Sequence, residues 1–209
     1  MKLLQIHSSV AGAQSLSRRL TDSITNAIAD AMPGLEIVSR NLAADELPHL
    51  PGERPPVVRA GKTEDLTPVQ TEEYALAEAV LAEFLAADII VIGAPMYNFA
   101  VSSQLKAWID RLARAGRTFR YGPNGPEGLA GGRKVIIASS RGGVYSTSAA
   151  GQAADHQESW LKLVFGFIGI TDVSIVRVEG VGMGPDALAA AFTAAEAEIS
   201  ALAPAAVAA

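Results

Sequence analysis

The sequence predicts one α/β domain: a doubly wound sheet of five parallel strands, ordered 2-1-3-4-5, with helices on both faces. Three observations carry that prediction. Asp88 is followed by Ile89-Ile90-Val91-Ile92, a β-branched run with no polar alternation. That pattern suits a central parallel strand buried on both faces. Further short apolar runs alternate with helical periods along the chain, the pattern of repeated strand-helix-strand units. With 209 residues and 49% hydrophobic composition, a single domain spanning 1–209 has enough apolar side chains to cover a sheet on both sides.

The elements follow in order. Lys2 to His7 reads as the first strand, and Ser15 to Met32 as a helix with Leu16, Leu20, Ile24 and Ile28 on one stripe. Pro33-Gly34 stops that helix, and Leu35 to Val38 forms the second strand. Residues 41–66 are rich in Pro, Glu and Gly. Loops so long usually serve a purpose, here a lid or a subunit contact. Thr67-Pro68 opens a helix to about Ala87, with Thr as cap and Pro in the first turn. The central strand follows, and Gly93-Ala94-Pro95 is expected to break it and turn the backbone outward. A helix is predicted over Ser102 to Arg114, then an extended Thr118 to Tyr121. Gly122 to Gly132 holds five glycines and two prolines and reads as loop. Lys134 to Ser139 is the fourth strand, Trp160 to Ile168 lies on a helix, and Val173 to Val178 is the fifth strand. Pro185 to Leu202 closes the domain, with a frayed tail expected from Ala203-Pro204.

Composition narrows the function. A net charge of −5 gives no basic patch to offset phosphate repulsion, which argues against nucleic acid. Without cysteine there is no disulfide, thiolate catalysis or Cys-ligated metal. His7, His49 and His156 are scattered without ligand spacing, so no metal is expected. His7 reads as a structural histidine. No apolar run reaches the ~20 residues of a membrane span, and the N-terminus lacks a signal-peptide core. A cytoplasmic protein that acts away from the membrane is expected.

The loops after the strands carry the functional signal. After the first strand come Ser8-Ser9, a flexible stretch, and Ser15-Leu16-Ser17 at a helix start. Hydroxyls and free N–H groups there suit a phosphate dianion. Arg18 and Arg19 either flank an anion or are solvated. After the third strand stands Met96-Tyr97-Asn98-Phe99, and after the fourth Ser140-Arg141-Gly142-Gly143, whose paired glycines admit a planar ligand or supply positive φ. In the order 2-1-3-4-5 these three loops share the carboxyl edge, where open α/β sheets bind ligands. Phosphate chemistry at one loop and aromatic or glycine-rich surfaces at the others suggest a mononucleotide with a flat ring system.

Several segments together resemble the FMN-dependent NADH:quinone and azo reductases of the flavodoxin-like superfamily. They are Ala94 to Phe99, Arg114-Ala115-Gly116 with Thr118 to Tyr121, Asn124 to Gly128, Ser140 to Gly143, and Gly166 to Ile170. The resemblance covers nearly the whole chain in order. It implies FMN as cofactor, NADH or NADPH as hydride donor, and quinones and aromatic azo compounds as acceptors that use one pocket in turn with the donor. It further implies that Ser9, Ser15, Leu16 and Ser17 hold the FMN phosphate. Met96, Tyr97, Asn98 and Phe99, with Ser140, Arg141, Gly142 and Gly143, would embrace the ring. No protein nucleophile is expected. Ser102 stands where relatives usually carry a proline, and the 144–157 loop matches less regularly.

The resemblance also implies a homodimer. A ring left exposed at a sheet edge needs a second wall, for which residues 41–66 and 117–128 are candidates. Phe119, Tyr121 and Phe167 could line the substrate; core packing is the default for such aromatics. Two rivals stay open: a flavodoxin-type electron carrier without turnover of its own, and a flavin-binding interaction protein.

Overall fold

A computed structural model describes residues 1–51 and 65–207. Five parallel strands form the sheet: β1 (Lys2–His7), β2 (Glu36–Asn41), β3 (Ile89–Pro95), β6 (Lys134–Ser140) and β7 (Asp172–Val178). Their order is β2-β1-β3-β6-β7, the expected 2-1-3-4-5 arrangement. Every residue of β3 is buried, as its unbroken apolar run requires. Alternate residues serve opposite layers. Ile90 and Ile92 join a core with Val80, Leu81, Phe84, Trp108 and Phe165, under helices α2 (Pro68–Ala86), α3 (Ser103–Ile109) and α5 (Glu158–Phe167). Ile89 and Val91 face Leu20, Ile24, Ile28, Phe192 and Ile199 of α1 (Leu16–Ala31) and α6 (Pro185–Val207).

The stripe read from α1 is the buried one: Leu20, Ile24 and Ile28 have no exposure. Thr67 caps α2 through a reciprocal box with Gln70. The excursion expected over 41–66 lies partly outside the described residues, as 52–64 are not among them.

Several boundaries differ from expectation. Gly93 does not break its strand; β3 continues to Pro95. A Cβ at Gly93 would lie 2.7 Å from Thr21 Oγ1 and 3.2 Å from the Ile6 carbonyl. The glycine therefore admits close passage of α1. The Gly122–Gly132 loop contains a strand, β5 (Gly125–Gly128), paired antiparallel with β4 (Phe119–Gly122). Its glycines serve a backbone crossing: a Cβ at Gly128 would fall 2.1 Å from the Gly169 nitrogen. The helix expected to reach Arg114 ends at Ile109 and gives way to turns. The C-terminal tail does not fray at Ala203; α6 continues to Val207 despite Pro204, because Ala203 and Ala206 are buried against the core.

The turns after α3 are fixed by charge. Arg111, fully buried, pairs with the buried Glu73 of α2 at 2.7 Å and donates to the Ala107 carbonyl. Glu78 takes both Arg114 and Arg117.

Candidate functional site

Ser8 and Ser9 follow β1 and are drawn under the loop after β3. The Ser8 hydroxyl donates to the Gly93 carbonyl at 2.6 Å, and Ser9 Oγ lies 3.2 Å from the Tyr97 hydroxyl. Ser102 is buried, accepts from the Leu105 N–H and donates to the Ser8 carbonyl. A serine at this position thus both caps α3 and ties two loops together.

Ser15 caps α1 by accepting from the Arg18 N–H, and its hydroxyl lies 3.2 Å from that of the buried Ser17. Among the described residues no acceptor takes the N–H groups of Leu16 and Ser17. These are the orphan donors of a helix start, the groups that suit an anion. Leu16 can offer only this N–H, because its side chain packs on the core. Arg19 stacks on Phe192 at 3.8 Å, which removes it from an anion-binding role, while Arg18 lines a cavity of about 330 Å³ with His7, Ser8, Ser9, Gly12 and Ser17.

His7 ends β1 almost wholly buried. Its Nε2 lies 3.5 Å from Asp22, and its Nδ1 has no partner among the described residues. Burial holds the imidazole below the ordinary histidine pKa of 6.5; Asp22 opposes this and Arg18 reinforces it. The folded state therefore binds its proton less readily than the unfolded chain. The stability this neutral histidine contributes should be full above about pH 6.5 and be lost as pH falls below it. Urea midpoints from pH 8 to 5 should show that loss, and His7→Gln should flatten it; an identical slope in the variant would remove His7 from the account.

The loops after β3 and β6 form the rest of the site. Met96 N–H donates to the Ser140 carbonyl, Tyr97 and Ala100 bond reciprocally, and His156 N–H takes the Phe99 carbonyl. Asn98 and Phe99 have φ of 49° and 70°. Such angles in non-glycine residues signal backbone strain of the kind that clusters at ligand sites. Phe99 is half exposed.

After β6, the carbonyls of Arg141, Gly142 and Gly143 turn toward the end of β7 and accept the N–H groups of Val181, Gly182 and Gly180. The N–H groups of Gly142 and Gly143 have no acceptor among the described residues. Gly142 does not have positive φ, and a Cβ there would meet nothing within 4 Å. Arg141 departs from expectation. Its guanidinium is fully buried and ion-paired with Asp155, Glu158 and Glu179, so the side chain points into the protein.

Two further residues were not read from the sequence. Tyr145 packs edge-to-face on Phe99 with centroids 6.2 Å apart, forming an aromatic lip between the two loops. Glu179 binds the same loop from beneath. An aromatic two residues beyond a glycine pair was the available signal for Tyr145; Glu179 left none.

Phe119, Tyr121 and Phe167 do come together, at 5.6 and 4.7 Å between ring centroids. They line a groove of about 670 Å³ with Lys106, Asp110 and Trp160, and no residue of the three loops borders it. A second groove of the same size continues it through Lys106 and Trp160 along Val101 and Leu163. The second groove runs up to Ala100 and His156, which bond to the loop after β3, whereas the first lies apart from the three loops. The orphan N–H groups of Leu16, Ser17, Gly142 and Gly143 gather at the carboxyl edge of the sheet. No helix of the described residues is long and apolar enough to cross a membrane.

The sheet order and its three loops define the class. The profile of the flavodoxin-like fold matches residues 1–203. A protein of Azospirillum brasilense named FMN-dependent NADH:quinone oxidoreductase is 59% identical over 203 residues, 97% of this chain and 98% of its own. The azoreductase of Bacillus anthracis strain Sterne superposes with a TM-score of 0.87 at 32% identity, over 98% of this chain and 99% of that one. An FMN-dependent NADH-azoreductase of Bacillus anthracis strain Ames Ancestor, solved with FMN, gives 0.82 at 25% identity, over 97% and 99%. The chain belongs to the flavodoxin-like family of FMN-dependent NADH:quinone oxidoreductases and azoreductases.

Proposed function

We propose that the protein is an FMN-dependent oxidoreductase that takes hydride from NADH or NADPH and reduces quinones to hydroquinones and aromatic azo compounds to amines. The observation that carries this reading is the set of orphan N–H groups at Leu16, Ser17, Gly142 and Gly143 on one sheet edge. One pair suits a phosphate dianion and the other the polar rim of a flat ring. When bound, FMN supplies the two-electron redox chemistry between donor and acceptor.

The chain's own work is binding and orientation. Ser15, Ser17 and the first-turn N–H groups of α1 hold the phosphate. Met96 to Phe99 form one wall and Gly142-Gly143 another. Donor and acceptor occupy one position in turn, a reading that fits a chain in which no G-x-G-x-x-G follows a strand. In each round NADH and one proton convert a quinone to its hydroquinone. Cleavage of an azo bond to two amines consumes two such rounds.

Ser17→Ala removes one donor to a charged group, about 1.5–3 kcal/mol, and should weaken FMN binding roughly tenfold or more without loss of fold. Unchanged affinity of the flavin-free variant for FMN would take Ser17 out of the site. Turnover tests the activity: NADH oxidation with a quinone should disappear when FMN is stripped and return on its re-addition, which an electron carrier would not support.

The apolar groove beside Trp160 and the exposed Leu163 supports a homodimer in which a second copy covers it, with Phe119, Tyr121 and Phe167 serving the partner's site. Mixing Gly142→Val subunits with subunits altered at Tyr121 and Phe167 should partly restore activity. No recovery despite proven exchange, or a sedimentation mass near 21.7 kDa, would contradict the shared site.

A further inference from the structure

We infer that Glu179 is a positioning residue for the reaction: its carboxylate fixes the 143–146 loop and, through it, the Tyr145–Phe99 lip over the ring. The inference rests on the reading that the ring lies between the loops after β3 and β6.

Glu179 follows directly on β7. Its Oε2 accepts the backbone N–H groups of Tyr145, at 3.0 Å, and Ser146, at 3.3 Å, while Oε1 takes the Ser146 hydroxyl. Successive N–H groups converging on one carboxylate make a small anion-binding nest occupied by the protein's own side chain. Arg141 Nη1 stands 3.7 Å from the same carboxylate, and Asp155 and Glu158 hold the other side of that guanidinium. The carboxylate is therefore anchored beneath the loop it binds.

Three backbone bonds act in the same sense. The N–H groups of Gly180, Val181 and Gly182 take the carbonyls of Gly143, Arg141 and Gly142. The chain after β7 is thus a template that turns each carbonyl of the β6 loop downward and leaves the Gly142 and Gly143 N–H groups free above. Glu179 extends the template by two residues, to the segment that carries the aromatic ring. The Tyr145 ring lies over Gly143, whose added Cβ would meet it at 3.2 Å, and edge-on to Phe99. Releasing Tyr145 N–H would therefore free one half of the lip while the phosphate loop, which follows β1 on the far side of β3, stays intact. A flat acceptor stacked on the ring needs that lip for orientation, where small misplacement is costly.

The test compares Glu179→Ala, Glu179→Gln and Glu179→Asp with the natural protein. In flavin-free protein, amide exchange at Tyr145 and Ser146 should accelerate about tenfold or more in Glu179→Ala, and less in Glu179→Gln, which keeps an acceptor oxygen. In FMN-loaded protein, the visible circular dichroism of the flavin should change. The quinone KM should rise about tenfold with a smaller fall in kcat, and Glu179→Asp should recover part of both. Unchanged exchange would overturn the inference. So would faster exchange with unaltered flavin dichroism and KM, since Glu179 would then be only structural. Should Glu179→Ala not fold, Glu179→Gln carries the same comparison. Failure of the natural protein to bind FMN would instead refute the proposed function, and the exchange result in flavin-free protein would stand apart from it.

Discussion

Gly142→Val is expected to yield a folded protein whose FMN affinity is lowered by about a hundredfold, roughly 2.8 kcal/mol. The position tolerates a side chain as far as the protein alone is concerned. Its φ lies outside the left-handed region, and a Cβ meets no atom within 4 Å. The Gly142 carbonyl is bound to Gly182, so the loop is held and the new isopropyl group must project into the open edge. Any penalty therefore falls on whatever ligand approaches there. Overpacking a well-filled contact commonly costs about 1–3 kcal/mol, and shielding of the Gly142 and Gly143 N–H groups adds to it. Far-UV circular dichroism and the urea midpoint should match the natural protein, while the purified variant should be nearly colourless. Full FMN occupancy would move the ring away from this loop.

Glu73→Ala should cost about 3–5 kcal/mol of stability. Arg111 has no exposed surface and Glu73 very little, and they meet at 2.7 Å. Removing the carboxylate strands a guanidinium in the core under α2 and α3. For a chain of this size each kcal/mol moves the melting temperature by about 2–4 °C, so a drop of roughly 10 °C is expected. The double variant Glu73→Leu, Arg111→Met should recover most of it, because replacing both partners leaves no buried charge. A single variant that melts with the natural protein would show the pair to be dispensable.

The sheet was legible because its central strand is a short apolar run with no polar alternation and further short strands alternate with helical periods, and α1 because Leu20, Ile24 and Ile28 repeat at helical spacing. That the loops after β1, β3 and β6 share one edge followed from strand order, the edge where open α/β sheets bind ligands. Gly93 was misread because a strand-breaking glycine and one that lets a helix pass close look alike until Thr21 is seen against it. The β4–β5 hairpin was hidden for a similar reason: Gly128 and Gly169 are far apart in sequence yet cross within van der Waals distance. Arg141 stands beside the paired glycines Gly142 and Gly143, and only the acidic partners Asp155, Glu158 and Glu179 reveal that its side chain points into the protein. Local pattern reports burial and turns well; long-range pairings of charge and backbone it does not report.

The proposed passage of an electron pair from a nicotinamide to a quinone through FMN, at one ligand edge, can be followed by an anaerobic spectral titration. The FMN-loaded protein should lose its flavin absorbance on addition of about one equivalent of NADH and regain it fully on addition of a quinone, with NAD⁺ and hydroquinone formed in equal amounts. A protein that binds no FMN, or whose flavin absorbance survives excess NADH, would contradict the account.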